Sequence, residues 1–197
     1  MKLTVLIVSL VTLLAIPVLV FGSPIQWALA DGGNGHWYEP ISAIGIPWAT
    51  AQANAEKVGG YLACPNTLEE NNFIYKLISD RSEFWLYRGN TFGPWIGGYQ
   101  LPGSDEPMGG WKWVDGTEMA FTNWGNYEPN NDPANENRLM LFGFGTSTGS
   151  WWNDFQMTGQ VSSISVTGYI VEVVPEPASL LAIGTGLSLL LLKRRVK

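Results

Sequence analysis

Apolar and polar positions change rhythm several times along this chain, and the changes mark its elements. Uncharged runs of mainly apolar and small residues occupy 3–21 and 178–192, at the two ends. Between them the pattern is that of a folded domain. Residues 36–42 read as a strand. Residues 48–58 are alanine-rich and helical, and Gly59-Gly60 ends them. Tyr61-Leu62-Ala63-Cys64 reads as a short strand. Thr67-Leu68-Glu69-Glu70 is a capping box with Thr67 as N-cap. The helix it opens is predicted to run to about Ser79, with Phe73, Ile74, Leu77 and Ile78 on one face. Trp95-Ile96-Gly97-Gly98-Tyr99 and Trp111-Lys112-Trp113-Val114 have strand composition. A polar stretch rich in Asn and Pro follows at 122–137, then a short strand at 139–142. A loop of Gly, Ser and Thr spans 143–149, Trp151-Trp152 precede Asn153-Asp154, and a last strand covers 168–174. Two early helices, several short strands and a long irregular region predict an α+β fold.

The ends read as processing segments. Met1-Lys2 and the apolar run after it form a positive n-region and an h-region, so residues 1–30 are a predicted signal peptide. Small residues allow cleavage after Gly22 or after Ala30. At the other end, Pro175-Glu176-Pro177 precedes the second apolar run and the basic cluster Lys193-Arg194-Arg195. Fifteen helical residues span about 22 Å, short of a ~30 Å hydrocarbon core. The basic cluster would stay cytoplasmic. Pro175 and Pro177 keep the segment before the run extended, with no helix through it. A plain membrane anchor is the alternative reading. The folded domain is then 31–173, long enough to bury a real core.

Charge and composition narrow the function. Residues 31–174 hold six basic side chains against sixteen acidic ones, about −10. Such a surface repels phosphate backbones and accepts cations, which argues against a nucleic-acid partner. Cys64 is the only cysteine, so no intramolecular disulfide forms, and a buried thiol is expected. His36 is the only histidine, and nothing near it suggests a nucleophilic catalytic set. Glu69-Glu70 and Asp105-Glu106 read as capping or solvated acids.

The chemistry concentrates in one stretch. Glu128-Pro129-Asn130, Glu136 and Trp152-Asn153-Asp154 gather three carboxylates and two carboxamides within 27 residues, without His or Cys. An all-oxygen set suits a hard cation, calcium above all, which takes six to eight oxygens. A long loop in a compact domain is usually functional or disordered, and its donors favour function here. Two simpler readings stand beside this one. Asn- and Pro-rich loops are common turns without metal. Glu128 and Asp154 could also serve as a glycosidase pair, which would leave the other oxygens without a purpose.

These landmarks resemble the C-type lectin domain. The resemblance rests on Trp48 with its helix, Gly59-Gly60-Tyr61-Leu62-Ala63, Glu70, Trp95-Ile96-Gly97, residues 111–116, Asn123-Trp124, Glu128-Pro129-Asn130, Glu136-Asn137, Trp152-Asn153-Asp154 and Gly168-Tyr169-Ile170-Val171-Glu172. It implies a double-looped α+β fold and a non-enzymatic, calcium-dependent sugar site. Glu128, Asn130, Glu136, Asn153 and Asp154 would hold the ion and bind carbohydrate. Pro129 would sit in a cis bond, and Trp152 would support the site from beneath. The Glu-Pro-Asn order resembles the form that prefers equatorial 3- and 4-hydroxyls, as in mannose or glucose. The positions of the four usual half-cystines hold Ala55, Arg138, Met157 and Val171, so both framework disulfides are absent. The auxiliary calcium site looks incomplete, since Gly98-Tyr99-Gln100 stands where acids are usual; one Ca²⁺ is expected. A stacking role for an exposed tryptophan, Trp151 foremost, is a further expectation.

The tail at 174–197 resembles the PEP-CTERM sorting signal of certain Gram-negative bacteria, carried by Pro175, Glu176, Pro177, the short span, and Arg194-Arg195. That resemblance implies an exosortase as partner, transient anchoring in the inner membrane, and delivery to the cell surface or extracellular matrix. The glycan partner would then be sugar there or in exopolysaccharide.

Overall fold

A computed structural model describes residues 23–132 and 135–175. The predicted signal sequence up to residue 22, and Glu176, Pro177, Arg194 and Arg195 of the predicted sorting signal, lie outside the described residues. Among those described, no helix is long and apolar enough to cross a membrane.

The elements follow in chain order: β1 (Ile25–Gln26), β2 (Trp37–Ser42), α1 (Trp48–Lys57), β3 (Tyr61–Leu62), α2 (Leu68–Lys76), β4 (Leu86–Arg88), β5 (Asn90–Gln100), β6 (Trp111–Trp113), β7 (Glu136–Gly143), β8 (Trp151–Gln156), β9 (Gln160–Val161), β10 (Ile164–Ser165) and β11 (Gly168–Val173). The main sheet runs β1-β2-β11-β5-β7-β8, with β3 on β11 and both β4 and β6 on β5. Two helices with mostly antiparallel strands make this the predicted α+β fold. One pairing is parallel, β11 with β5, through Tyr169 and Trp95.

Both helices form where local chemistry asks for them. In α1, Trp48, Ala51 and Ala55 recur at helical spacing and are the buried positions. Gly59 ends it at φ 78°, a conformation glycine adopts without steric cost. In α2, Thr67 Oγ1 accepts from the Glu70 N–H at 3.1 Å. Glu70, Asn71 and Ile74 face inward. Leu77 and Ile78 pass into a turn, so the helix stops at Lys76, short of the predicted Ser79.

The sheet is covered on both faces, which explains the unbroken apolar reading of 139–142. Leu139 and Leu141 join one buried cluster with Tyr38, Ile74, Ile96, Trp113 and Trp152. Met140 and Phe142 join a second with Trp48, Trp95, Phe155 and Val171. Gly97 lets β5 close on β3. Its N–H donates to the Ala63 carbonyl at 2.8 Å, and a Cβ there would collide with the Leu62 carbonyl oxygen.

Three features depart from the sequence reading. β1 pairs with β2 through Ile25↔Tyr38 and Gln26↔Trp37, although its two side chains are exposed and carry no pattern. β5 is eleven residues long. Pro94 hides this in the sequence, and a register irregularity between Phe92 and Trp95 accommodates it. The β9–β10 hairpin is too short to show a period.

Candidate functional site

The site is built where the irregular segment before β7 lies against β8. Gly125 N–H donates to the Trp152 carbonyl, and Trp152 N–H donates to the Asn123 carbonyl, both at 2.9 Å. These bonds pin the segment beside β8, and the chain then turns through a cis Glu128–Pro129 bond. Asp154 holds the next residues. Its Oδ1 accepts from Asn130 N–H at 3.0 Å and its Oδ2 from Asn131 N–H at 2.8 Å. Asn131 Oδ1 accepts from Glu136 N–H at 3.0 Å, and Glu136 Oε2 accepts from Asp132 N–H at 3.1 Å. Asn131 sits at φ 53°, a left-handed conformation that asparagine tolerates better than most residues.

This arrangement encloses a cavity of about 160 Å³ lined by Glu128, Asn130, Asp132, Glu136 and Asn153, with Asn90 and the rings of Phe92, Phe142 and Phe155 beside them. Four of the five predicted ligand residues line it. The fifth, Asp154, is fully buried, with its carboxyl against that of Glu128. Pro129 makes the turn. Trp152 lies in the core, its indole N–H donating to Asn71 Oδ1 at 2.7 Å, its ring edge-on to Trp113, Phe121 and Trp124. Trp151 is 40 % exposed and packs edge-on against Phe144, 5.1 Å between ring centres.

The electrostatics favour a cation. Burial and then the neighbouring Asp154 raise the Glu128 carboxyl well above its usual range. Burial and Asp154 push Glu136 up to about 8. Burial also raises Asp154, against the pull of two loop N–H groups. Among the described residues no lysine or arginine pairs with these three acids, and Glu128 Oε2 is buried without a hydrogen-bond partner. An orphaned carboxylate oxygen amid repelling acids and carboxamide oxygens fits a hard divalent ion.

Two residues at this cavity lie outside the expected ligand set, the sequence offering Asp132 only to the auxiliary calcium site. Asp132 enters because the loop folds back on Glu136. Asn90 enters from β5, about forty residues upstream, which only the β5–β7 pairing makes adjacent.

Against known families, the description "Lectin C-type domain" matches residues 44–158. The chain belongs to the C-type lectin domain family. Rat asialoglycoprotein receptor 2 is 34% identical over 115 residues, 57% of this chain and 31% of the receptor. The chain thus spans about a third of the length of that curated relative. Among solved structures, the herring type II antifreeze protein aligns with a TM-score of 0.54 at 23% identity, over 73% of this chain and 94% of that one. The mouse scavenger receptor C-type lectin carbohydrate-recognition domain aligns at 0.52 and 23%, over 72% and 92%.

Three of the four positions where the resemblance expects half-cystines are packed. Ala55 and Val171 lie in the same buried cluster, and the Arg138 guanidinium stacks 4.8 Å from the Trp48 ring. At the expected auxiliary position Gln100 is buried, and its amide donates to the Pro107 and Gly109 carbonyls.

A second group of ionisable residues lies elsewhere. His36, Glu70 and Glu172 bring ligand atoms within 4.8 Å of one another. Glu70 is not the solvated or simple capping acid the sequence suggested. It is 4 % exposed, accepts from the Tyr38 hydroxyl and from Asn34 Nδ2 on one oxygen, and accepts from Asn66 N–H on the other. Glu172 accepts from His36 at 2.6 Å and from Cys64 N–H at 2.9 Å. The Glu172 carboxylate raises the His36 pKa, against the effect of burial. With every carboxylate oxygen engaged, the group is accounted for as a hydrogen-bonded brace between the N-terminal strands, α2 and β11.

Proposed function

We propose that this domain is a calcium-dependent carbohydrate-binding module, with one ion held by Glu128, Asn130, Glu136, Asn153 and Asp154. The observation that carries the reading is the buried, partnerless Glu128 Oε2 in a cluster of acids with which no described lysine or arginine pairs. A bound calcium ion would accept two adjacent sugar hydroxyls in its remaining coordination positions. The chain's own groups would fix the sugar. Glu128 and Glu136 accept hydrogen bonds from sugar hydroxyls, and carboxamide N–H groups donate to hydroxyl oxygens. The two carboxamides differ in readiness. Asn153 Nδ2 already donates to the Asp154 carbonyl at 2.6 Å, while no hydrogen bond from a described residue engages Asn130 Nδ2. The Glu-Pro-Asn order supports equatorial 3- and 4-hydroxyls, as in mannose and glucose. The reading includes no catalysis and no nucleic-acid partner.

Export completes the proposal. Residues up to 22 or 30 direct secretion. The tail from residue 174 is processed by an exosortase after transient membrane anchoring, which leaves the domain at a Gram-negative cell surface or in its exopolysaccharide matrix. A second reading, an interaction domain on the same fold with a vacant sugar site, has its own support. Asp154 already orders the loop through two backbone amides.

The test is calorimetric titration of mannose, glucose and galactose, in calcium and in chelator, with an Asn153→Ala/Asp154→Ala control. Calcium-dependent binding of mannose or glucose that the control loses supports the module. Calcium binding with no sugar binding moves the interaction reading ahead.

A further inference from the structure

The brace of His36, Glu70 and Glu172 is one wall of a cavity of about 740 Å³, which Trp27, Tyr61 and Asp115 also line. That volume lies within the ~300–1,000 Å³ of ordinary ligand sites. No residue that lines it also lines the oxygen-rich cavity.

The lining carries charge of one sign. Three acids face the cavity, and no described lysine or arginine does. Their fields meet at His36, whose pKa Glu172 raises first and Glu70 and Asp115 raise further, against burial. Glu70 and Glu172 are bonded into the brace, but half of the Asp115 carboxylate is not engaged. Its Oδ1 accepts from the Thr117 N–H at 2.9 Å and from the Thr117 hydroxyl at 2.7 Å. No hydrogen bond or ion pair from a described residue engages Asp115 Oδ2. The aromatic lining is fixed in place. Trp27 stacks on Phe73 with ring centres 5.5 Å apart, and the Tyr61 hydroxyl donates to Glu172 at 3.3 Å. Aromatic rings and carboxylates attract the same guest, an organic cation. A neutral or anionic guest gains nothing from the acids, and a bare metal ion has no apolar stem to lay against the rings.

We infer that this cavity is a second binding site, separate from the loop site, for a primary ammonium group on an aliphatic stem. A diamine and a lysine side chain both carry that group. The ammonium donates to Asp115 Oδ2, and the stem lies along Trp27 and Tyr61. The inference does not depend on the carbohydrate reading.

The experiment titrates the full chain, in chelator, with cadaverine, with Nα-acetyl-lysine amide and with pentanol, and follows His36 by NMR. His36 is the chain's only histidine, so its ring signals report on this cavity alone. Both amines should shift those signals saturably and lower the His36 pKa, as a neighbouring positive charge does. Pentanol should bind at least about tenfold more weakly. Asp115→Asn keeps the oxygen that Thr117 bonds and removes the charge. It should weaken both amines about tenfold, the loss of one charge-assisted hydrogen bond, at an unchanged melting temperature. If that variant does not fold, the comparison of amine with pentanol decides alone. Tighter binding of the lysine amide points to a side chain of a protein partner, and tighter binding of cadaverine to a free amine; either supports the site. A His36 signal that responds to neither amine overturns it. Equal binding of pentanol, or a folded Asp115→Asn variant with undiminished affinity, does the same.

Discussion

Replacing Glu136 with glutamine should stabilise the calcium-free protein and abolish its response to calcium. The fold raises this carboxyl from 4.5 to about 8, by burial first and by the Asp154 charge second. A raised carboxyl pKa means that the folded state keeps a proton the unfolded state releases. Stability therefore falls as pH rises from about 4.5 to about 8. That interval corresponds to roughly 5 kcal/mol at 1.36 kcal/mol per pH unit. An effective dielectric of ~20 even at buried sites cuts this to about 1–2 kcal/mol. Glutamine carries no charge at either pH, and its amide oxygen can still accept the Asp132 N–H that Glu136 Oε2 accepts at 3.1 Å. In chelator at pH 8 the variant should melt about 2–8 °C above wild type, and the gap should close near pH 4.5. Calcium reverses the order. With a Kd of ~0.1–1 mM, about 10 mM calcium adds roughly 1.4–2.7 kcal/mol to wild type, or about 3–11 °C. The variant, short of one ligand charge, should gain little. Scanning calorimetry in four buffers, calcium or chelator at each pH, reads all of this. A variant that melts below wild type in chelator at pH 8 would refute the repulsion argument. A calcium shift as large as that of wild type would remove Glu136 from the ion site.

Other expectations follow from separate parts of the fold. Gly97→Ala forces a Cβ onto the Leu62 carbonyl and within 2.7 Å of Cys64 Sγ; it should cost about 2–3 kcal/mol or more in urea unfolding, and a neutral result would mean that β3 and β5 can separate. The raised His36 pKa gives a stabilising contribution that is complete below about pH 6.5 and lost as pH climbs through the raised value. His36→Gln should therefore matter at pH 5.5 and not at pH 9, and a pH-independent gap would count against the Glu172 pairing. A protein that begins at Ser23 keeps β1 and the Trp27–Phe73 stack, with ring centres 5.5 Å apart. It should melt above one that begins at Asp31, and mass spectrometry of exported protein should find Ser23 first. Burial pushes the Cys64 thiol up, so it should react with disulfide reagents only on unfolding.

Local grammar made part of this molecule legible. Thr67 caps α2 through a bond between residues three apart, and the α1 stripe of Trp48, Ala51 and Ala55 is a helical period within a single segment. The donor set was also visible as residue types, since Glu128, Asn130 and Glu136 lie in one loop and Asn153 and Asp154 in one strand. That they share one site came only through the family resemblance, because their approach depends on the register Met140↔Asn153 and Leu139↔Asp154 across β7 and β8. Asn90 was missed because only the β5–β7 pairing brings it to the cavity, and Asp132 arrives there because its N–H bonds back to Glu136. Pro94 concealed half of β5, since a proline reads as a strand break until a bulge is known to absorb it. Glu70 was misread because its sequence neighbours explain a cap, whereas its burial comes from Tyr38 and Asn34, more than thirty residues away.

The order of strands also decides how the domain answers a pull. Trp37 at the start of β2 and Val173 at the end of β11 are register partners, so these two strand ends lie side by side, with β1 beyond them at the margin of the sheet. Tension applied at Trp37 and Val173 loads their ladder at a single rung and opens it by peeling, one bond at a time, the mode in which strands resist least. The loop donors and the β7–β8 pair lie at the far end of the order β1-β2-β11-β5-β7-β8. Under load the fold therefore yields first at its margin, and the β7–β8 end keeps its shape longest.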